Sequence, residues 1–491
     1  MSARGRATDL GIVALAKVLV CAVALGIGFR AVSDDDFARV VIAQSWALSP
    51  KLDPTGTSWL PFPFWVTGGV MLAAGRDLLV ARALAFVCGI GSAVLVLLAA
   101  RRIAHDDRGA LFGAVAAAIF PWSVRLGVAT VPELPTAALS LFAMTSLVGP
   151  DPGGRVRIAG GAALFAATLS RYESWPVAAA FAALSLLDAL RDREGRARLA
   201  MLLSAGIALL GPALWVAWNH HARGSALDFL DRVAAYKRAL GGADESVLSR
   251  LFTYPISMAR HEPEIFGALA ILLGLALAAR LRPLLRDALR PYLRPLAIAL
   301  FQLAALSVAM VRDGTPTHHP ERAVLLLQLL LAVLAGDLAT LLVPRASRRA
   351  RVVAAMAAVG VLALSLVVVR RWYRGEDFLH RREEVAIGDA ARLLVPRGER
   401  VLVEVVDYGH FAITAALARP EDVVLDRDLD PRKSARASSF ADRAALGGRL
   451  EETGARWLIG RPSAATAESL GPPRLVHGSF GLWASNPRPS P

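Results

Sequence analysis

Four separated stretches of the chain carry ionisable groups in combinations able to do chemistry: Asp34-Asp35-Asp36, Glu133, Arg171 with Glu173, and His318-His319 with Glu321 and Arg322. A positioned carboxylate can take a proton from a weak nucleophile. An arginine fork can hold a phosphate or another carboxylate through paired hydrogen bonds. Three adjacent acids repel one another unless they are solvated or balanced by a cation, so Asp34–Asp36 is either a solvated helix end or part of a charged site. Glu133 follows Pro132 and also reads as a favourable charge at a helix N-terminus. Arg171 and Glu173 can pair across one tight turn. Adjacent histidines point in different directions on most backbones, so His318-His319 reads as a polar loop pair more readily than as two ligands of one ion.

Those groups are separated by apolar runs that dictate their setting. The chain has 491 residues, 55% of them hydrophobic, with mean hydropathy +0.47, more apolar surface than a soluble domain of this size can bury. A bilayer-spanning helix needs about 20 mainly apolar residues, and such runs recur from residue 9 to residue 370. About eleven spans are expected, near 9–31, 79–100, 109–127, 132–148, 158–170, 175–190, 199–218, 264–279, 295–311, 323–343 and 352–369. The net charge of +14 does not indicate nucleic-acid binding, because the arginines cluster in short stretches between apolar runs. Examples are Arg101-Arg102, Arg155 with Arg157, Arg191 to Arg198, Arg280 to Arg294 and Arg345 to Arg351. That is the positive-inside pattern of a cytoplasmic membrane protein. It places the N-terminus in the cytoplasm and every acid named above on the outer face. The first apolar run reads as an uncleaved anchor. Cys21 and Cys88 fall inside apolar runs and read as inert thiols.

Two long outer loops, 32–62 and 219–262, stand beside these acids. The first leads into Trp59-Leu60-Pro61-Phe62-Pro63-Phe64-Trp65, an aromatic density typical of the membrane interface. The second carries Tyr236, Lys237 and Arg238 in helical periodicity, which suits an interfacial amphipathic helix or a solvated one. From about residue 375 the pattern changes. Apolar β-rich runs at 400–406, 422–425, 456–459 and 474–483 alternate with helix-like 410–418 and 440–453, predicting a small extracytoplasmic α/β domain over 375–491 after a membrane domain over 1–374.

An acidic run after the first span, the Pro- and aromatic-rich interfacial segment, Gly75-Arg76 with Arg82, the Ser170-Arg171-Tyr172-Glu173-Ser174-Trp175 turn, and Asn219, Gly224 and Phe229 follow one another in order. In that order they resemble the C-type glycosyltransferase superfamily, the polyprenyl-phosphate-sugar-dependent membrane enzymes that include protein O-mannosyltransferases and aminoarabinose transferases. The resemblance covers most of residues 9–370. It implies an all-α membrane domain of the C-type glycosyltransferase fold and transfer of a hexosyl or pentosyl group from a polyprenyl-phosphate-linked donor to a glycan, lipid or protein acceptor, with inversion. It carries the catalytic base to the Asp34–Asp36 run, Asp35 first and Asp34 next, with Asp36 the remaining register. Arg171 and Arg322 are then candidates for the donor phosphate, with Glu173, His319 and Trp59 lining the substrate. It also implies that Glu133 could join Asp35 around a divalent cation. The rival classes are a transporter or flippase, which usually places ionisable groups at mid-membrane, and a non-catalytic membrane scaffold. Asp337 is the carboxylate nearest to mid-depth, toward the inner end of its span, and the chain shows no internal repeat.

Overall fold

The computed structural model describes residues 3–485 except 57, 150, 152–153, 193–194, 240–245, 314–318, 367–380, 431 and 433–436. The expected domain boundary at 374/375 and His318 lie outside the described residues. Helix α1 (Ala3–Gly26) opens the bundle, and Gly28, at φ +106°, turns the chain out of it. Next come α2 (Asp35–Leu48), α3 (Phe62–Ala74) and the long α4 (Leu78–Ile103). α5 (Asp107–Ile119) is broken from α6 (Pro121–Leu126) because Pro121 supplies no amide to continue the ladder. Then follow α7 (Glu133–Ser146), α8 (Arg155–Thr168), α9 (Ser174–Arg191), α10 (Gly195–Arg223), α11 (Asp228–Ala239), α12 (Val247–His261) and α13 (Pro263–Ala278). α14 (Arg282–Leu289), α15 (Leu293–Asp313), α16 (Pro320–Ala323), α17 (Leu325–Leu342) and α18 (Arg348–Leu364) complete the bundle.

Each of the eleven expected spans overlaps a helix among the described residues, that near 109–127 being split between α5 and α6 and that near 352–369 running past the described residues at 367, but the helices are not equally long. Five helices among the described residues are long and apolar enough to cross a membrane, at Gly5–Gly26, Leu78–Ile103, Gly195–Arg223, Arg282–Arg312 and Leu325–Arg345. α12 and α13, bent by 83°, make a sixth if taken as one broken span. α5 is cut short by the break before Pro121, and several of the others are packed inside the bundle. α7 is the clearest case, with all but three of its 14 residues buried. Small residues let the helices approach closely. A Cβ on Gly336 of α17 would lie 2.5 Å from the Cα of Gly113 in α5, so that crossing tolerates only glycine.

The two ends of the bundle differ in chemistry. At one end Asp9 pairs with Arg101 at 2.7 Å, and Asp188 holds both Arg157, at 2.9 Å, and Arg294, at 3.0 Å. There too Tyr292 donates to the fully buried Asp337 at 2.9 Å, beside His105. The other end carries residues 28–36, 127–133, 170–174 and 319–322, and against it sits the C-terminal domain. That domain comprises α19 (Arg382–Leu394), β1 (Val401–Val403), α20 (His410–Leu417), β2 (Val423–Leu425), α21 (Arg443–Thr453), β3 (Trp457–Gly460), α22 (Ala464–Leu470), β4 (Leu475–His477) and β5 (Phe480–Ala484). Its sheet runs β2-β1-β3-β5-β4, parallel for β2, β1 and β3 and antiparallel beyond. Ile387, Val401, Val403, Ile413, Ile459 and Leu482 form the core on one face.

Candidate active site

Lys17, fully buried in α1, braces the break between α5 and α6. Its Nζ donates to Ala118 O at 3.1 Å, Ser123 O at 2.7 Å and Ser123 Oγ at 3.0 Å, tying the end of α5 to the first turn of α6 across the break. The brace fixes where α6 ends and so where segment 127–132 runs. Thr130, in that segment, donates its amide to Asp36 Oδ1 at 2.9 Å and its hydroxyl to Asp36 O at 2.8 Å.

The three aspartates thus separate. Asp36 is buried and a structural staple, its Oδ2 accepting from the amides of Val32 at 3.1 Å and Ser33 at 3.2 Å. Burial pushes its acid up from 3.8 to about 6, against the opposing pull of Arg322 and those amides. Asp36→Ala strips an acceptor from three backbone amides and is expected to lower stability by roughly 2–4 kcal/mol, read from the unfolding midpoint of the purified protein. The raised value also gives a pH signature. The stability tied to the neutral acid is complete below about 3.8 and lost as pH rises through about 6. The melting temperature should fall across that window, and less so in Asp36→Asn.

Asp34 turns the opposite way and receives both arms of Arg381, from the C-terminal domain, at 3.0 Å each. Asp35, between them, faces the cluster at the end of the bundle with its side chain 40% exposed. Arg322 Nη1 donates to Asp35 Oδ2 at 3.0 Å while Nη2 donates to Ser33 Oγ at 2.7 Å. Arg322 also stands 3.7 Å from Glu133, whose Oε1 accepts from Arg171 at 2.6 Å. Arg171 in turn clasps Glu173. Burial disfavours the charge on Asp35, yet Arg322, Arg39 and His319 outweigh it and hold the carboxyl below its ordinary range. Arg171 does the same for Glu173 against burial. His319 Nδ1 donates to the Glu321 carboxylate at 3.1 Å, at the edge of the group.

Sequence reasoning missed Arg39. It lies one helical turn after Asp35, buried, with its guanidinium 4.5 Å over the ring of Trp59 and 5.7 Å from that of Phe64. The Asp35–Arg39 spacing on a common helix face was the available signal. Trp59 therefore reaches the cluster by carrying Arg39. Arg39 Nε, Arg322 Nε and Glu133 Oε2 are buried without a hydrogen-bond partner. Beside them, α2, α3, α4, α7 and segment 126–132 line an open apolar cleft of roughly 110 Å³, walled by Phe62, Phe64, Leu84, Leu126 and Leu139, with Arg39 and Ser170 among its polar members.

No protein-family model matches this sequence, and no curated protein matches it. Solved structures do. The crystal structure of ArnT from Cupriavidus metallidurans bound to undecaprenyl phosphate superimposes with TM-score 0.61 over 99% of each chain, at 16% identity. The apo form of ArnT, an aminoarabinose transferase, gives 0.55 over 96% of this chain and 97% of that one. The archaeal oligosaccharyltransferase AglB from Archaeoglobus fulgidus, in complex with an inhibitory peptide and a dolichol-phosphate, gives 0.52 at 13% identity over 94% of this chain and 69% of its own. The fold is that of the C-type glycosyltransferases. In this chain that fold, a multi-pass membrane bundle with an α/β domain on one end, gathers Asp35, Glu133, Arg171, Glu173, His319, Arg322 and Trp59 at the end where the domain sits. Asp34 and Asp36, which the sequence also offers as the base, stand apart from that group, engaged with Arg381 and with the Val32, Ser33 and Thr130 amides.

Proposed function

We propose that the protein transfers a sugar from a polyprenyl-phosphate-linked donor to a hydroxyl or amine acceptor at the outer face of the cytoplasmic membrane. The observation that carries this reading is the half-exposed Asp35 carboxylate set among Arg39, Arg171 and Arg322 beside an open apolar cleft. A lipid-phosphate donor needs those elements together: apolar wall for the isoprenoid, guanidinium for the phosphate, and a carboxylate for the acceptor. Arg39, in the cleft wall with an unpartnered Nε, and Arg322 would hold the phosphate. Drawing the Arg322 fork toward phosphate frees Asp35 from its cation and raises its basicity. The acceptor heteroatom then bonds to the anomeric carbon as Asp35 takes its proton. The bond from that carbon to the phosphate oxygen breaks, and the lipid phosphate leaves with the electron pair. Attack opposite to the leaving phosphate inverts the anomeric centre.

The side chains near Glu133 do not fit a divalent ion. Glu133 already faces Arg171 and Arg322, and no three His, Cys, Asp or Glu residues come together as a metal site among the described residues. The mechanism therefore routes no step through a metal. The arginine-rich end of the bundle would face the cytoplasm by the positive-inside rule, which puts the site and the C-terminal domain outside.

The test is transfer by the purified protein in lipid nanodiscs. Undecaprenyl-phosphate-linked sugars with a radiolabelled glycosyl group would be supplied with envelope extract as acceptor. Label passing to the extract, with release of undecaprenyl phosphate, is the expected result. No label transfer and no lipid-phosphate release above a protein-free control, with any donor, would overturn the reading.

A further inference from the structure

We infer that Arg381 is a positioning residue for Asp35, so that the C-terminal domain is a working part of the active site rather than an appendage. This rests on the reading of Asp35 as the base. Asp34 occupies the N-cap of α2, where an aspartate usually accepts an amide hydrogen bond from its own first turn. It makes no such bond. Its carboxylate is given wholly to Arg381, whose Nε and Nη2 each lie 3.0 Å from one of its oxygens. The backbone carbonyl of the same Asp34 receives the amides of Phe37 at 3.1 Å and Ala38 at 3.0 Å, so it starts the helix. Holding Asp34 thus holds the first turn that carries Asp35.

The clamp is itself anchored. Arg381 Nη1 also donates to Glu384 at 2.9 Å and to Asp407 at 3.0 Å, on two different elements of the C-terminal domain. Around it the domain is seated on the same helix. Ala412 and Ala415 of α20 pack with Phe37, Val40 and Ala43, and Gln44 donates to Ala415 O at 2.8 Å. Arg76 grips Glu421 at 2.6 and 3.0 Å. Docking of the domain and placement of the base are therefore one structural event. A base moved by about 1 Å can lose about a hundredfold in rate.

Hydrogen–deuterium exchange of the full-length protein in nanodiscs reads the clamp without any substrate. In Arg381→Ala the amides of residues 34–38 should exchange at least about tenfold faster, while α4 and α17 keep their protection. In the transfer assay Arg381→Ala should lower kcat roughly 10–100-fold with KM for the lipid donor within about threefold. Arg381→Lys, which keeps the charge but not the fork, should fall between. Asp34→Asn should match Arg381→Ala, and the double variant should be no worse than either alone. Unchanged exchange at 34–38 in Arg381→Ala would overturn the inference, as would full kcat in a variant whose first turn has loosened. If no donor supports transfer by the wild type, the exchange result still decides whether the clamp exists, and the failure belongs to the proposed activity.

Discussion

Asp35→Asn is expected to reduce sugar transfer by at least about a thousandfold while leaving the affinity for undecaprenyl phosphate within about threefold. The amide keeps the shape of the carboxylate, and its oxygen can still accept from Arg322. What it loses is the capacity to take a proton. Of the three acids in the run, Asp35 alone stands in the guanidinium cluster with an open side: Asp36 is closed off by the Val32, Ser33 and Thr130 amides, and Asp34 is gripped by Arg381. The three asparagine variants should therefore separate by kind. Asp35→Asn would lose turnover in a protein of ordinary stability. Asp36→Asn would lose stability first. Asp34→Asn would lose a smaller share of turnover together with protection of the α2 first turn. Turnover, lipid-phosphate affinity and melting temperature measured on each protein make that comparison. An Asp35→Asn enzyme retaining a tenth of wild-type turnover would remove the base from this residue.

The outline of this arrangement was legible in the sequence because the bilayer imposes a simple code. Long apolar runs must become helices, and each expected span overlaps a helix among the described residues, although only five, or six with the bent pair, are long and apolar enough to cross a membrane. The acids at their ends were visible as well. What the sequence left ambiguous was which aspartate faces which way. Successive residues on a helix differ by about 100° in direction, so Asp34, Asp35 and Asp36 address three different neighbours, and those neighbours come from far along the chain. Thr130 is 94 residues away, Arg322 is 287 from Asp35, and Arg381 is 347 from Asp34. No local spacing encodes such pairs. Helix α12 went unseen because it lies within a long polar loop, and its own apolar face and Pro255 gave no span-like signal. Arg39 could have been found from its distance of one turn to Asp35. The strands of the C-terminal domain were visible in their alternating apolar runs, whereas its seating on α2 depends on surface pairs such as Arg76–Glu421 that have no periodic signature.

Arg322→Ala should cost nearly as much as loss of the base, roughly 10²–10³-fold in kcat/KM. Its side chain is 3% exposed, so its charge acts where water screens it little. In the resting protein it spans Asp35 and Ser33 with separate nitrogens and lies within reach of Glu133. When the donor binds, the same guanidinium is the group best placed to follow the charge that builds on the leaving phosphate oxygen. Removing it acts twice, by withdrawing that stabilisation and by taking one of the cations away from Glu133. Lysine would not repair the loss. An ammonium keeps the charge but cannot hold Ser33 and Asp35 from one rigid plane, so Arg322→Lys should still lose more than about tenfold. The variants also separate the two uses of the residue. If phosphate stabilisation dominates, kcat falls while the pH dependence of turnover keeps its shape. If the hold on Asp35 dominates, the acidic limb of the profile moves toward higher pH, because a carboxylate released from its cation takes up a proton more readily. Steady-state kinetics of Arg322→Ala and Arg322→Lys across pH 4–8, with folding checked by melting temperature, distinguishes them. Wild-type kcat/KM in Arg322→Ala would remove this arginine from the site.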